Sequence, residues 1–247
     1  MSKLQLVLPA SSLEFLRSLQ ENNDREWFNA HKDEYALQKE IMEHFAERLL
    51  TELNKHDVIE TSSGKKSLHR IYKDTRFSKV KIPYKNNWGG NFTRATKQRR
   101  GGYYYHIEPG NSFIGGGFQG PSAEDLKRLR DEFSADPVPL RKILADKSFV
   151  ETFGKIRGER LKTTPTGFSS DDEAIDLLRY KQFLVFKRFT DEEVLSPSFL
   201  EEANQVFKKM RPFFDYMGSS HKLVEEVVFK HTSALSGRER IRYFLHL

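Results

Sequence analysis

Residues able to hold and orient an anion alternate along one short stretch of this chain: Arg70, Tyr72, Asp74 and Arg76 occupy every second position. In an extended strand that spacing puts all four on one face, opposite Ile71, Lys73, Thr75 and Phe77. A second run, Tyr103 to Glu108, alternates in the same way and sets Tyr104, His106 and Glu108 on a common face. Paired with their polar faces aligned, the two runs combine guanidinium forks for a planar or phosphate anion, phenol hydroxyls to orient it, and carboxylates to hold the arginines. Lys79 and Lys85 flank Pro83 on a loop suited to close over such a site. The ligand-binding set is therefore Arg70, Tyr72, Arg76, Lys79, Lys85 and Tyr104. Imidazole titrates near neutral pH, so His106, with Asp74 and Glu108, is the candidate for proton transfer. The plainer alternative makes His106 a satisfied structural histidine, and Arg70 and Arg76 ion-pair partners of Asp74 and Glu108. A divalent cation between Asp74, His106 and Glu108 would be repelled by the surrounding arginines; no metal and no cofactor is assigned.

Other signatures fail on context. Gly115-Gly116-Gly117-Phe118-Gln119-Gly120 satisfies G-x-G-x-x-G, but the region about 20 residues on, where a dinucleotide fold needs a strand ending in an acid, reads Asp136-Pro137-Val138-Pro139. These glycines better suit strand bending or close backbone approach. Ser63-Gly64-Lys65-Lys66-Ser67 ends like a phosphate loop, yet Ile59 stands where its first glycine belongs. Ser78-Lys79-Val80-Lys81 spells S-x-x-K just before Pro83, which disfavours the helix that motif requires.

The elements that must carry these residues can be read from periodicity. Ser11 or Ser12 is placed to cap a short helix through Leu19; Asn22 to Asp24 break it, and a long helical stripe runs from Arg25 to Asn54, bent near His31. The two β-prone runs follow, Arg70 to Phe77 and Tyr103 to Glu108, and Pro109-Gly110 turns the second into a third strand from Ser112 to the Gly115-Gly116-Gly117 run. Helical patterns return after Pro121, at Pro139 to Asp146, Asp172 to Tyr180 and Ser198 to Tyr216, with a short strand over Phe183 to Phe186. Helices segregated around an antiparallel stretch give an α+β fold, one domain over 1–247.

The chain has 247 residues and a net charge of +6, concentrated in one place. Between Lys65 and Arg100 twelve Lys and Arg face a single acid, Asp74, so the remainder is mildly acidic. Such a block calls for an anionic partner, or is a solvated basic loop. The absence of cysteine excludes thiolate chemistry and disulfides and fits a reducing compartment, the cytoplasm. No stretch approaches a membrane span.

Several strings stand out: Asn22 to Phe28 with His31 to Tyr35, Arg70 to Lys79 with Pro83-Tyr84-Lys85, Tyr104, His106 to Gly110, Gly115 to Gly117, and Leu195-Ser196-Pro197. In this order they resemble a conserved-hypothetical family, the domain of unknown function 2461. The resemblance covers about Leu13 to Tyr216 and implies a compact α+β domain, with no reaction, cofactor or catalytic residue to carry over. Val80 and Ile82 depart from the family pattern, and Gly218 to Leu247 lies beyond it as a C-terminal extension. Three function classes follow. The leading one is a domain binding an anionic small molecule that bears phosphate or carboxylate, with the question of catalysis open. The second is a nucleic-acid-binding module using the basic block with Tyr72, Phe77, Tyr84, Trp88 and Phe92 as stacking surfaces. The third is a non-catalytic protein-interaction domain that uses the extension.

Overall fold

The computed structural model describes residues 7–73, 82–95 and 101–219. Asp74, Arg76 and Lys79, the bases Lys97, Arg99 and Arg100, and the extension beyond Ser219 lie outside the described residues. The N-terminal stripe forms α1 (Ser11–Glu21), α2 (Arg25–Ala30) and α3 (Lys32–Leu53). Ser11 and Ser12 do not cap α1. They bind Gln38 of α3 instead, Ser12 Oγ donating to Oε1 at 2.8 Å and Gln38 Nε2 donating to Ser11 Oγ at 3.1 Å, which ties the two helices together. Asp24 caps α2 by accepting from the Trp27 amide at 2.9 Å. The expected bend at His31 is a full break: its ring stacks on Trp27 at 3.9 Å and its Nδ1 hydrogen-bonds the Trp27 carbonyl, satisfying the end of α2.

A short α4 (Gly64–Ser67) precedes the sheet strands β1 (Trp88–Thr93), β2 (Gly102–Ile107) and β3 (Ser112–Phe118). Then come α5 (Ala123–Ala135), α6 (Val138–Ala145), α7 (Lys147–Phe153) and α8 (Ile175–Leu178). The chain closes with β4 (Phe183–Phe189), α9 (Asp191–Val194) and α10 (Phe199–Ser219). The four strands pair antiparallel in the order β1-β2-β3-β4. The fold is α+β.

The expected pairing of the Arg70 run with the Tyr104 run does not form. Both sides of β2 are occupied, one by β1 and the other by β3. The chain before Tyr72 lies along the outer side of β1, where Leu68 bridges Gly90 and the His69 amide donates to the Gly89 carbonyl. Tyr72 in turn bridges Tyr84. The winning strand, Trp-Gly-Gly-Asn-Phe-Thr, has weak strand propensity by composition. Tertiary fit selects it, since a Cβ on Gly90 would lie 2.3 Å from the Tyr105 hydroxyl and 2.6 Å from the Ser67 carbonyl.

Alternation divides the sheet into two faces. One presents Tyr103, Tyr105 and Ile107 of β2, Phe92 of β1 and Ile114 of β3, all fully buried, to α3 and α10. Phe45 of α3 meets Tyr105 edge-on, while Phe207 and Phe214 of α10 pack on Tyr103 at 4.9 and 5.1 Å. Each such ring contributes about 1.5–3 kcal/mol through the apolar surface it removes from water. Within this core lies an ionic cluster. Arg94 Nε donates to Asp57 Oδ2 at 2.6 Å, Tyr103 Oη donates to the same oxygen at 2.7 Å, and Arg94 also reaches Asp215 of α10. The opposite face of the sheet, which carries Tyr104, His106 and Glu108, is not covered by these helices.

Candidate ligand site on the open sheet face

The side chains that alternate away from the core on β2 form a hydrogen-bonded line. Tyr104 Oη lies 3.1 Å from His106 Nδ1, and His106 Nε2 lies 2.8 Å from Glu108 Oε2. Spacing by two residues on an extended strand produces this directly. The second layer is built from asparagines: Asn86 Nδ2 donates to Glu108 Oε1 at 2.6 Å, Asn111 Nδ2 to Oε2 at 2.7 Å, and the Asn87 amide lies 3.4 Å from His106 Nδ1. Phe113 of β3 stacks on the imidazole at 4.6 Å. Burial alone would raise the Glu108 carboxyl, but donation from His106, Asn111 and Asn86 outweighs it and holds the group below the usual carboxylate range. An ionised Glu108 accepts from Nε2–H, and the contact between Nδ1 and the Tyr104 hydroxyl completes the line. Burial, and next the Glu108 charge, push the Tyr104 phenol upward, so it stays protonated at neutral pH.

Tyr104 opens onto a cavity of about 630 Å³, within the range of small-molecule sites. Its floor is largely bare backbone, with Gly102 of β2 facing Gly117 of β3, and Gly115 facing Tyr104. At Gly115 a Cβ would come within 2.9 Å of Phe186 Cβ and of the Val185 carbonyl, so the floor there admits no side chain. His69 and Asn91, joined by a 2.6 Å hydrogen bond, stand beside Tyr104 on one side, and Leu184 and Phe186 of β4 form the other. The guanidinium groups of Arg157 and Arg188 lie 4.5 and 5.5 Å from the Phe186 ring. Both arginines are exposed, and among the described residues neither has a carboxylate partner.

The candidate residues read from the sequence thus separate. Tyr104, His106 and Glu108 come together as expected. Arg70 and Tyr72 sit on the outer ribbon beside β1, both exposed, and do not face the β2 line as a paired strand, because β1 stands between. Lys85 belongs to that ribbon: burial, then the like charges of Arg70 and Lys73, lower its pKa. Asp74, Arg76 and Lys79 are outside the described residues. Sequence reasoning missed Arg157, Arg188, Phe186 and the asparagines, which carry no motif; only the amide-rich Asn86-Asn87 next to the strand gave any signal. Of the aromatics suggested as stacking surfaces, Tyr84, Trp88 and Phe92 are buried in the core, and Arg94 is consumed by Asp57. Among the described residues no group of three or more His, Asp or Glu is arranged to hold a metal, and no helix is long and apolar enough to cross a membrane.

A family model matches residues 11–216, from the first residue of α1 into the last turn of α10. The chain belongs to the conserved hypothetical protein family DUF2461. No curated protein and no solved structure matches it. Membership in DUF2461 takes in the whole sheet and the Tyr104–His106–Glu108 line, and its description names no reaction, so the chemistry is argued from the site itself.

Proposed function

We propose that this protein binds a small molecule with a flat body and an anionic group on the open face of its sheet. The observation that carries this reading is the glycine-floored cavity beside a tyrosine fixed by His106 and Glu108. Bare backbone admits a planar ring at van der Waals distance, with Phe186 and Tyr104 as aromatic walls. Arg157 and Arg188, lacking carboxylate partners among the described residues, supply positive charge beside the Phe186 wall, and guanidinium suits phosphate or carboxylate through paired donors. The outer ribbon of Arg70, Lys73 and Lys85 adds a positive field that raises the local concentration of anions.

The test is a thermal-shift screen of nucleoside monophosphates and aromatic carboxylates beside their uncharged parents, followed by calorimetric titration. The anionic members should raise the melting temperature, and the double substitution Arg157→Ala with Arg188→Ala should weaken their binding about tenfold, the scale of a charge-assisted hydrogen bond. Equal binding of charged and uncharged members would refute the anionic assignment. Binding only to oligonucleotides, steeply weakened by salt and indifferent to Tyr104→Phe, would favour the nucleic-acid reading instead.

A further inference from the structure

The outer edge of the sheet collects positive charge that the protein leaves unmatched. Along it lie Lys65 and Lys66 of α4 and Arg70 and Lys73 of the ribbon, all four exposed, with the half-buried Lys85, whose amide donates to the Ile71 carbonyl at 2.8 Å. No Asp or Glu occurs in residues 61–73 or 82–95, and among the described residues none of the five cations has a carboxylate partner. Helical surfaces elsewhere pair their bases, Lys39 with Glu43, Lys127 with Asp131 and Arg141 with Asp176. Acids on the helices beneath the edge are engaged: Glu47 accepts from the Gly64 amide at 2.6 Å, Glu43 holds Lys39, and Asp24 caps α2. Like charges gathered without acids cost stability, and Lys85 registers it, since after burial the charges of Arg70 and Lys73 lower its pKa.

One flat ring stands within this charge. Tyr72 is 47% exposed, whereas Tyr84, Trp88 and Phe92 are buried. The ribbon that carries it is anchored. Ile71 is buried, the Lys73 amide donates to the Pro83 carbonyl at 2.8 Å, and Tyr84 stacks on Phe28 of α2 at 4.0 Å. Asn23 clamps the Tyr84 backbone, its Nδ2 donating to the carbonyl at 3.2 Å and its Oδ1 accepting from the amide at 3.1 Å. Tyr72 meets Phe28 edge-on at 5.8 Å and lies 5.4 Å from the Tyr84 ring. Its ring is therefore placed before a partner arrives, so stacking on it loses little conformational freedom.

We propose that this edge is a docking track for single-stranded nucleic acid, whose phosphates meet Lys65, Lys66, Arg70, Lys73 and Lys85 while one base stacks on Tyr72. An unpaired strand presents regularly spaced phosphates and, unlike a duplex, bases with open faces, each able to stack on an aromatic ring. An acidic peptide or an anionic lipid surface matches the charge but supplies no repeating flat face. From the end of α4 to Lys73 an extended chain covers on the order of 20 Å. That length suits a site of about 4 nucleotides, the small end for single-strand binders, better than a compact anion. The track is separate from the cavity reading above: Arg157, Arg188 and the glycine floor take no part in it.

The test is fluorescence anisotropy of a labelled oligothymidylate of about 15 nucleotides, titrated with the full-length protein between about 50 and about 200 mM salt. Five phosphate contacts give a slope of log affinity on log salt of about −3.5, and Arg70→Gln combined with Lys73→Gln should bring it to about −2. Tyr72→Ala should weaken binding about tenfold, the scale of one stacked base, while Tyr72→Phe, which keeps the ring, should bind like the parent. Absence of binding at low salt would overturn the proposal. So would a duplex bound as tightly as the single strand, or binding indifferent to Tyr72→Ala. Phosphatidylserine vesicles bound as tightly as the oligonucleotide would assign the edge to a membrane surface instead. Binding lost with Arg157→Ala and Arg188→Ala but kept in the Arg70 and Lys73 variant would move the strand to the cavity. Melting curves confirm folding of each variant; should Tyr72→Ala fail to fold, the change in salt slope and the duplex comparison decide.

Discussion

Tyr103 and Tyr104 are neighbours on one strand, and each hydroxyl enters a network that ends on a carboxylate, yet the two networks differ in kind. On the core face Asp57 accepts from Tyr103, from Arg94 and from the Val58 amide, and both Arg94 and Asp57 side chains are at most 1% exposed. Arg211 adds a further charge, its Nε 3.5 Å from Asp57 Oδ2. On the open face the line from Glu108 through His106 ends at Tyr104, which borders a cavity. Polar groups enclosed between sheet and helices fix structure, whereas a line beside a cavity stands where a ligand can reach its tyrosine ring. Residue type does not distinguish them; what lies across each face of the sheet does.

The largest break in this comparison should come from the closed side. Asp57→Ala leaves the Arg94 guanidinium buried without its principal counter-charge, and chemical denaturation should register a loss of about 3–5 kcal/mol. Tyr104→Phe, on the other face, should change stability by about 0.5–1.5 kcal/mol, the net worth of one hydrogen bond, since it removes the contact with His106 and leaves the ring in place. Equal losses in the two variants would erase the distinction between the networks.

A middle-sized effect tests how the core face is sealed. A Cβ on Gly116 would stand 2.5 Å from the Gly102 carbonyl of β2, 2.9 Å from Phe214 Cζ and 3.2 Å from Met210 Sδ, so the neighbouring strand and α10 both close on bare backbone at this point. Gly116→Val should cost about 1–3 kcal/mol by overpacking. A variant as stable as the parent would show that both the β2 backbone and α10 give way at this point.

The smallest effect is in acid. Burial would raise the Asp57 carboxyl, but the bonds from Tyr103, Arg94 and the Val58 amide together hold it below its ordinary value of 3.8. A pKa depressed on folding adds stability above the unfolded value and loses it as pH falls through the folded one. Stability measured from neutral pH downward should therefore decline below about pH 4, the ordinary carboxylate range. Asp57→Asn should flatten that decline. Glu108→Gln should flatten it less, because Glu108 is more exposed and its own depression is partly screened. A steeper decline in either variant would reverse the sign of this argument.

Much of the frame was legible. Period-two alternation over Tyr103 to Glu108, the Pro109-Gly110 turn and the following Ser112 to Gly117 run specify the β2–β3 hairpin, because local sterics and turn chemistry are written in adjacent residues. The His106 line was legible for the same reason, being contained in β2 and the residue that follows it. The Arg70 run alternates just as well and still forms no partner strand to β2. Its rival for that edge is a glycine-rich segment whose advantage is the room Gly90 gives to Tyr105 and Ser67, a contact invisible to a window of neighbours. The ends of the helices misled in a similar way: Ser11 and Ser12, good caps by type, bind Gln38 across a gap of 26 to 27 residues.

By itself, then, the sequence determined which residues share a strand face, where the hairpin turns and which acid, imidazole and phenol stand in line. Those properties depend on spacing along the chain. Only the tertiary structure decided that one face of β2 would be closed by α3 and α10 and the other left open above a floor of glycine. It also decided that Phe186, with Arg157 and Arg188 against its ring, would wall that cavity, about 50 to 85 residues from Tyr104 in the chain. Which surfaces meet depends on how the whole core fills its volume, and no single segment holds that information.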